Sequence, residues 1–142
     1  MPTSPCTGPL LRRLARRVTQ DSDRAVAPAG LTITQFSLLQ HLRHQPGVSA
    51  SALAQQVGME RTTLLRNLRP VIRDGLARYR STEVGRSAEL ELTPRGLERI
   101  RRARPLWAQA QATLERQLGK DGPALHALLG NAIAALEPEA ST

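Results

Sequence analysis

Residues 49–75 read SASALAQQVGMERTTLLRNLRPVIRDG, and this stretch contains two short amphipathic segments that meet at Gly58. Ala54 precedes Gly58 by four residues, so a small side chain and a permissive backbone fall where two helices must turn and pack closely. Leucines and valines at helical spacing would fill the space between the two helices. The stretch therefore predicts a helix-turn-helix unit, with Ser49 as the N-cap of its first helix.

The second helix of this unit begins near Glu60 and has a polar, basic face opposite its leucines. That face consists of Thr62, Thr63, Arg66 and Arg73, and its two threonines and Arg66 lie toward the start of the helix. Side chains in this position can reach base edges in a major groove, and the free N–H groups of a helix start favour phosphate. An ordinary amphipathic helix with a solvated face is the alternative interpretation.

The periodicity changes after the helix-turn-helix. Residues 88–92, AELEL, alternate apolar and charged side chains as a half-exposed strand does, and residues 76–80 are a plausible partner strand. The polar residues 81–87 between them predict a long hairpin tip that contains Arg86. A helix-turn-helix followed by a two-stranded ribbon is a winged helix, and an arginine at the tip can enter a minor groove. A solvated loop charge is the alternative for Arg86.

Helices are predicted on both sides of the winged unit. An amphipathic helix over about residues 10–27 precedes it, and Thr32 and Gln35 have the spacing of a capping box for the next helix. Thr93-Pro94 starts a long helix that ends at Gly119.

The last helix has an apolar stripe that consists of Leu125, Leu128, Leu129, Ala132, Ile133 and Leu136. Together with the first helix, this stripe exceeds what so small a domain needs for its own core, which predicts a homodimer. An ordinary core helix is the alternative.

The charge of the chain is concentrated in one segment. The 142 residues include 20 Lys and Arg against 12 Asp and Glu, a net charge of +8, and Lys120 is the only lysine. Residues 61–104 hold 12 basic and 5 acidic side chains, so nearly all of the excess lies there. That concentration favours a polyanion, of which nucleic acid is the commonest. Arginine adds bidentate hydrogen bonding to phosphate or guanine.

Several classes of protein are excluded by the composition. Cys6 is the only cysteine, so a disulfide framework is impossible. The sequence contains no run of about 18 apolar residues, so a membrane span is not predicted. The first 30 residues lack the apolar centre of a secretory signal. We find no phosphate-binding glycine loop, paired acid–base residues or nucleophile motif, so neither an enzyme nor a cofactor is predicted.

The ordered set of motifs resembles the MarR family of bacterial winged-helix regulators over about residues 10–137. Its segments are LTITQFSLL at 31–39, Ser49 with Leu53-Ala54 and Gly58, RTTLLR at 61–66, DGL at 74–76, Gly85-Arg86 and LTPRG at 92–96. The resemblance implies a mainly α-helical fold with a small β-hairpin. It implies a helical dimerisation base from 10–30 and 94–137 and a winged helix-turn-helix lobe at 31–93. Outside the resemblance, the three prolines and one glycine of residues 1–9 predict a flexible tail, and the polar residues 138–142 predict a frayed end.

The resemblance further implies a cytoplasmic, nucleoid-associated homodimer that represses transcription by binding a pseudo-palindromic operator in double-stranded DNA. Many members have Asp two residues before the wing arginine, where this chain has Val84. Pro70 lies inside the recognition helix and should bend it. Asn67 either contacts adenine or braces that bend. The residues predicted to contact DNA are Ser49, Ser51, Arg61, Thr62, Thr63, Arg66, Asn67, Arg69, Arg80 and Arg86.

What switches the protein is a separate hypothesis. In the resembled family, small aromatic or phenolic anions bind between the dimer base and the DNA-binding lobe. The corresponding candidates in this chain are Arg16, Gln20, His41, His44 and Trp107. A redox-switched repressor that uses Cys6 is an alternative, although no second cysteine can resolve the oxidised thiol within the chain.

The residues also bear on metal binding and on protein binding. His41 and His44 share a helix face but have no evident third ligand nearby, so a metal site is not predicted. A winged-helix module that binds protein instead of DNA would keep the fold, and the arginine-rich segment argues against it.

Overall fold

The computed structural model describes residues 5–80 and 88–137, and the contacts divide the chain into one unit up to Ala110 and another from Gln111 onward. The elements are α1 (Thr7–Val26), a 3-10 turn (Ala27–Ala29), α2 (Ile33–His44), β1 (Val48–Ser49), α3 (Ala50–Val57), α4 (Arg61–Arg73), β2 (Ala77–Arg80), β3 (Glu89–Leu92), α5 (Pro94–Leu118) and α6 (Asp121–Leu136). The predicted fold class, mainly α-helical with a winged helix-turn-helix, is confirmed. Across the two described ranges, no helix is both long enough and apolar enough to cross a membrane.

Local hydrogen bonds set the starts of α2 and α3. Thr32 Oγ1 accepts from the N–H of Gln35 at 3.2 Å, and the N–H of Thr32 donates to Gln35 Oε1 at 3.0 Å, which completes the predicted capping box. Ser49 Oγ accepts from the N–H of Ala52 at 3.1 Å and caps α3. Gly58 ends α3 with a φ of 67°, a conformation that glycine adopts readily. The predicted starts of α2 and α3 and the predicted end of α3 are therefore confirmed.

The winged unit has one apolar core, in which helices α2, α3 and α4 pack with the strands and the first half of α5. No polar or charged side chain is buried in the described part of the chain. Each fully buried leucine contributes about 1.5–3 kcal/mol to stability. The largest side chains with less than 2% exposure are Val26, Leu38, Leu39, Leu42, Leu53, Leu64, Leu68, Val71, Leu76, Leu90 and Ile100.

The sheet is antiparallel, with the strand order β1–β3–β2. The hairpin strands β2 and β3 agree with the prediction. The sequence did not predict β1, which consists of two residues and pairs Val48 with Leu90 on the distant strand β3. The N–H of Gly47 also donates to the carbonyl of Leu90, at 3.0 Å. So short a strand has no periodicity of its own, and its long-range partner is what defines it.

Thr93 fastens the first turn of α5 to the residues that follow α4. Its hydroxyl donates to the carbonyl of Gly75 at 2.6 Å and accepts from the N–H of Gly96 at 3.0 Å. Its own N–H donates to the carbonyl of Leu76 at 3.1 Å. A Cβ atom on Gly96 would overlap that carbonyl oxygen, so only glycine fits there. We call Gly75, Leu76, Thr93 and Gly96 the Thr93 clasp.

The helix bounds differ from the prediction at the N-terminal end. α1 begins at Thr7, before the predicted start at residue 10, because Pro9 lies in the first turn, where an N–H group has no helical acceptor. Residues 1–4 and 138–142, the remainder of the predicted tail and frayed end, lie outside the described residues. α4 and α5 each continue through an internal proline, Pro70 and Pro105.

Candidate nucleic-acid interface

α4 presents a basic stripe to solvent. Thr62, Arg66, Arg69 and Arg73 are spaced by four, three and four residues, so they share one face of the helix, and all four are exposed. Leucines and a valine on the opposite side are buried in the core of the winged unit. We call these four residues the α4 stripe. It agrees with the exposed polar face that the sequence predicts for the second helix.

Most of the positive charge on α4 is free of internal partners. Arg73 Nε donates to Asp74 Oδ1 at 3.2 Å, whereas Arg61, Arg66 and Arg69 form no ion pair with any residue in the described ranges. Glu60 is the N-cap of α4 and makes no capping hydrogen bond with its side chain, and the first turn contains no acidic residue. The unpaired arginines along the helix, rather than its N-terminal end, therefore favour an anion.

Thr63 and Asn67 are half-buried at the edge of the α4 stripe. Asn67 Nδ2 donates to the carbonyl of Thr63 at 2.9 Å. This bond lies one turn before Pro70, which cannot donate to the carbonyl of Arg66. It uses one of the two donors of the Asn67 amide, so both roles, contact with adenine and bracing of the helix, stay predictions.

The other predicted DNA contacts lie outside α4. Ser49 is half-buried and accepts the capping hydrogen bond of α3, while Ser51 is exposed in the first turn of that helix. Arg80 is exposed at the end of β2. Arg86 and the rest of the predicted ribbon tip, residues 81–87, lie outside the described residues.

The hairpin carries an ion pair that the predicted site did not include. Arg78 Nε donates to Glu91 Oε1 at 2.6 Å, and the two residues are directly opposite in the register of β2 and β3. The alternation of charged and apolar residues in both strands was the signal that could have found it, because it places the two charges on one face of the sheet.

The residues predicted to line a ligand pocket come from three helices, α1, α2 and α5. On α5, the ring centroid of Trp107 lies 6.0 Å from that of Phe36, and 36% of the Trp107 surface is exposed. Arg16 and Gln20 are exposed on α1, and His44 is exposed at the end of α2.

His41 and Cys6 are among the residues that the sequence raised for ligand, metal or redox sensing. His41 Nδ1 forms a 2.8 Å hydrogen bond with the carbonyl oxygen of Ser37, within α2. Cys6 is an exposed free thiol that immediately precedes α1. Among the residues described, no three His, Cys, Asp or Glu side chains are grouped as metal ligands would be.

A helix-turn-helix whose second helix exposes arginines, followed by a hairpin in a three-stranded sheet, defines a winged helix-turn-helix domain. A family model described as winged helix-turn-helix DNA-binding matches residues 31–78. The HTH-type transcriptional repressor Rv2887 of Mycobacterium tuberculosis is 32% identical over 114 residues, which are 78% of this chain and 81% of that protein. The chain belongs to the MarR family of transcriptional regulators.

Solved structures agree with this assignment. The M. tuberculosis transcriptional regulator MosR, in complex with DNA, is 39% identical with a TM-score of 0.81, over 94% of this chain and 100% of that chain. The transcriptional repressor CouR, bound to p-coumaroyl-CoA, is 28% identical with a TM-score of 0.81, over 93% of this chain and 94% of that chain. The relatives are thus transcriptional regulators, some of them bound to DNA or to a ligand.

Proposed function

We propose that this protein is a homodimeric transcriptional repressor that binds a pseudo-palindromic operator and responds to a small-molecule ligand. The observation that supports it most is the α4 stripe. Arg66 and Arg69 are exposed and have no acidic partner within the described ranges, so their guanidinium groups are free to bind DNA. The complex of MosR with DNA supports the same use of this fold.

Some residues of the proposed interface would contact bases, and others would contact phosphates. Thr62 and Arg66 lie near the start of α4, the part of a recognition helix that reaches base edges. Residues outside α4 would bind the backbone and set the orientation of the protein on the duplex. The complete proposed set is Ser49, Ser51, Arg61, Thr62, Thr63, Arg66, Asn67, Arg69, Arg80 and Arg86.

The exposed apolar residues of the terminal helices support a dimer. On α6, Leu128 is 67%, Ile133 59% and Leu136 84% exposed in the single chain. On α1, Leu10 is 58% and Leu11 46% exposed. Water-facing surface of this size is stabilised when a second copy covers it. A two-fold dimer would place two α4 helices in successive major grooves, about 34–36 Å apart.

The ligand would be an aromatic anion. CouR in complex with p-coumaroyl-CoA is a precedent in a similar chain. In this protein, Trp107 offers a partly exposed aromatic ring, and Arg16 is an exposed cation that belongs to the proposed lining with Gln20, His41 and His44. A ligand that favours one spacing of the two α4 helices would change the affinity for the operator.

Selection of genomic fragments by the purified protein, followed by sequencing at two salt concentrations, tests the proposal. We expect a short inverted repeat and binding that falls steeply with salt. Arg66→Ala should relax the base preference, whereas Arg43→Ala, an exposed arginine on α2, should leave it intact. Binding without any enriched sequence would contradict operator recognition, and an equal loss on all sequences for Arg66→Ala would contradict base reading.

A further inference from the structure

The outer face of the β2–β3 hairpin pairs two arginines with two glutamates. Arg78 is opposite Glu91, and Arg80 is opposite Glu89. Ala77 and Leu90, which point to the other face, are buried in the core. The four charged side chains therefore share the solvent side of the sheet.

Only one of these two pairs forms an ion pair. Arg78 Nε lies 2.6 Å from Glu91 Oε1. The carboxylate of Glu89 instead lies close to Gly47. A Cβ atom added to Gly47 would be 3.3 Å from Glu89 Oε2. Arg80 has no ion pair within the described residues.

The bond to Glu91 leaves most of the Arg78 guanidinium free for a further partner. It uses the Nε–H, so the two terminal NH2 groups keep four donors, and the Arg78 side chain is 66% exposed. Glu91 is only 22% exposed, and the hydrogen bond that it accepts from the Nε–H fixes one edge of the guanidinium. A guanidinium fixed in this way loses little freedom when its remaining donors bind a phosphate.

The position of Arg78 in the chain brings it close to α4. β2 starts four residues after the last residue of α4, and the two elements are in contact. When the N-terminal part of a recognition helix enters the major groove, its C-terminal end lies nearer the groove edge, where the backbone phosphates are.

We propose that Glu91 is a positioning residue that orients Arg78 toward a DNA phosphate beside the recognition helix. The inference rests on the proposed DNA binding and adds two residues to that interface. A plain cross-strand ion pair would stabilise the hairpin only. The two roles predict opposite signs for the removal of Glu91: loss of an acid from a surface near DNA raises affinity, whereas loss of a positioning group lowers it.

The test compares the selected operator affinity of the full-length protein and its variants across a salt series, with thermal melting as the control for folding. Glu91→Gln should weaken binding about threefold although it removes a negative charge. Arg78→Ala should weaken binding about tenfold on all sequences and reduce the slope of log K against log salt by about 1. In the Arg78→Ala background, Glu91→Gln should no longer weaken binding, because the carboxylate has nothing to orient.

Glu98→Gln is the matched control. It removes an equal charge from α5, where Glu98 is 64% exposed and lies 3.7 Å from Arg101. This variant should bind DNA as the unmodified protein does, or slightly more tightly. Arg78→Lys keeps the charge without the forked donors and should bind like Glu91→Gln.

Two results would overturn the inference. One is a folded Glu91→Gln protein that binds the operator as tightly as the unmodified protein, or more tightly. The other is an Arg78→Lys protein that binds the operator as tightly as the unmodified protein. This second result overturns the inference even if Glu91→Gln lowers the melting temperature. If the unmodified protein itself shows no salt-dependent DNA binding, the proposed function fails, and that result is distinct from both.

Discussion

Leucine side chains are buried in the winged unit and exposed in helix α6. In the winged unit, Leu38 and Leu39 of α2 and Leu64 of α4 are at most 1% exposed. In α6, Leu128 is 67% and Leu136 84% exposed. The winged unit thus has a core of its own, whereas the large apolar side chains of α6 are exposed in the single chain.

This difference separates two sources of stability. Burial inside the winged unit is intramolecular and independent of concentration. In the proposed homodimer, burial of the exposed α6 residues by a second copy would depend on protein concentration, because assembly follows mass action. Substitutions in the two regions should therefore differ in both size and concentration dependence.

The largest effect is expected from Gly96→Ala, which attacks the winged unit itself. A methyl group there overlaps the carbonyl of Leu76 in the Thr93 clasp, so α5 must move away from the end of α4. The free energy of unfolding, measured by urea denaturation, should fall by roughly 3–5 kcal/mol. Gly130→Ala is the control, because no atom lies within 4 Å of that site on α6, and it should stabilise the protein by roughly 0.5–1 kcal/mol. Equal stability of the two variants would refute the close packing at the clasp.

An intermediate effect is expected from Ile133→Lys, which attacks the exposed face of α6. Ile133 is 59% exposed in the single chain, and a charge there would be buried in a dimer. Sedimentation should show dimerisation weakened by about 2–3 kcal/mol, or 30- to 150-fold. Asn131→Lys adds the same charge two residues earlier, on the side of α6 away from Ile133, and should leave dimerisation unchanged. Undiminished dimerisation of Ile133→Lys would show that this face is not the interface.

The smallest effect is expected from Asp23→Ala, which loosens α1 from the start of α2. Asp23 Oδ1 accepts from the N–H of Ile33 at 2.8 Å, a first-turn donor without a helical acceptor. Its loss should cost about 1–2 kcal/mol of unfolding free energy, as removal of a helix cap does. Asp21→Ala is the control: Asp21 pairs with Arg17 and Arg24, whose side chains are more than 70% exposed, and should contribute at most about 0.5 kcal/mol. If the two variants are equally stable, the Asp23 contact is not a significant link.

The sequence predicted the features that depend on residues close together in the chain. The capping box of Thr32 and Gln35, the cap at Ser49 and the turn at Gly58 each involve a few neighbouring residues, and all were confirmed. The basic face of α4 was found for the same reason, because helical periodicity alone places Arg66 on the side opposite the buried leucines.

The features that the sequence missed depend on distant partners. β1 exists because Val48 pairs with Leu90, and the Arg78–Glu91 contact depends on the register of a hairpin whose strands are separated by eight residues. Asn67 shows a different limit. Its two possible roles use the same amide, and only coordinates show that it donates to the carbonyl of Thr63.

The Thr93 clasp has a mechanical consequence. Two hydrogen bonds from Thr93 and the contact of Gly96 with Leu76 lock the first turn of α5 to the segment that leaves α4. The C-terminal end of α4 and the first turn of α5 are therefore held together at the Thr93 clasp, and we expect the two helices to move as one rigid unit. We expect a displacement of the first half of α5 to rotate α4 with it, with little bending between the two helices.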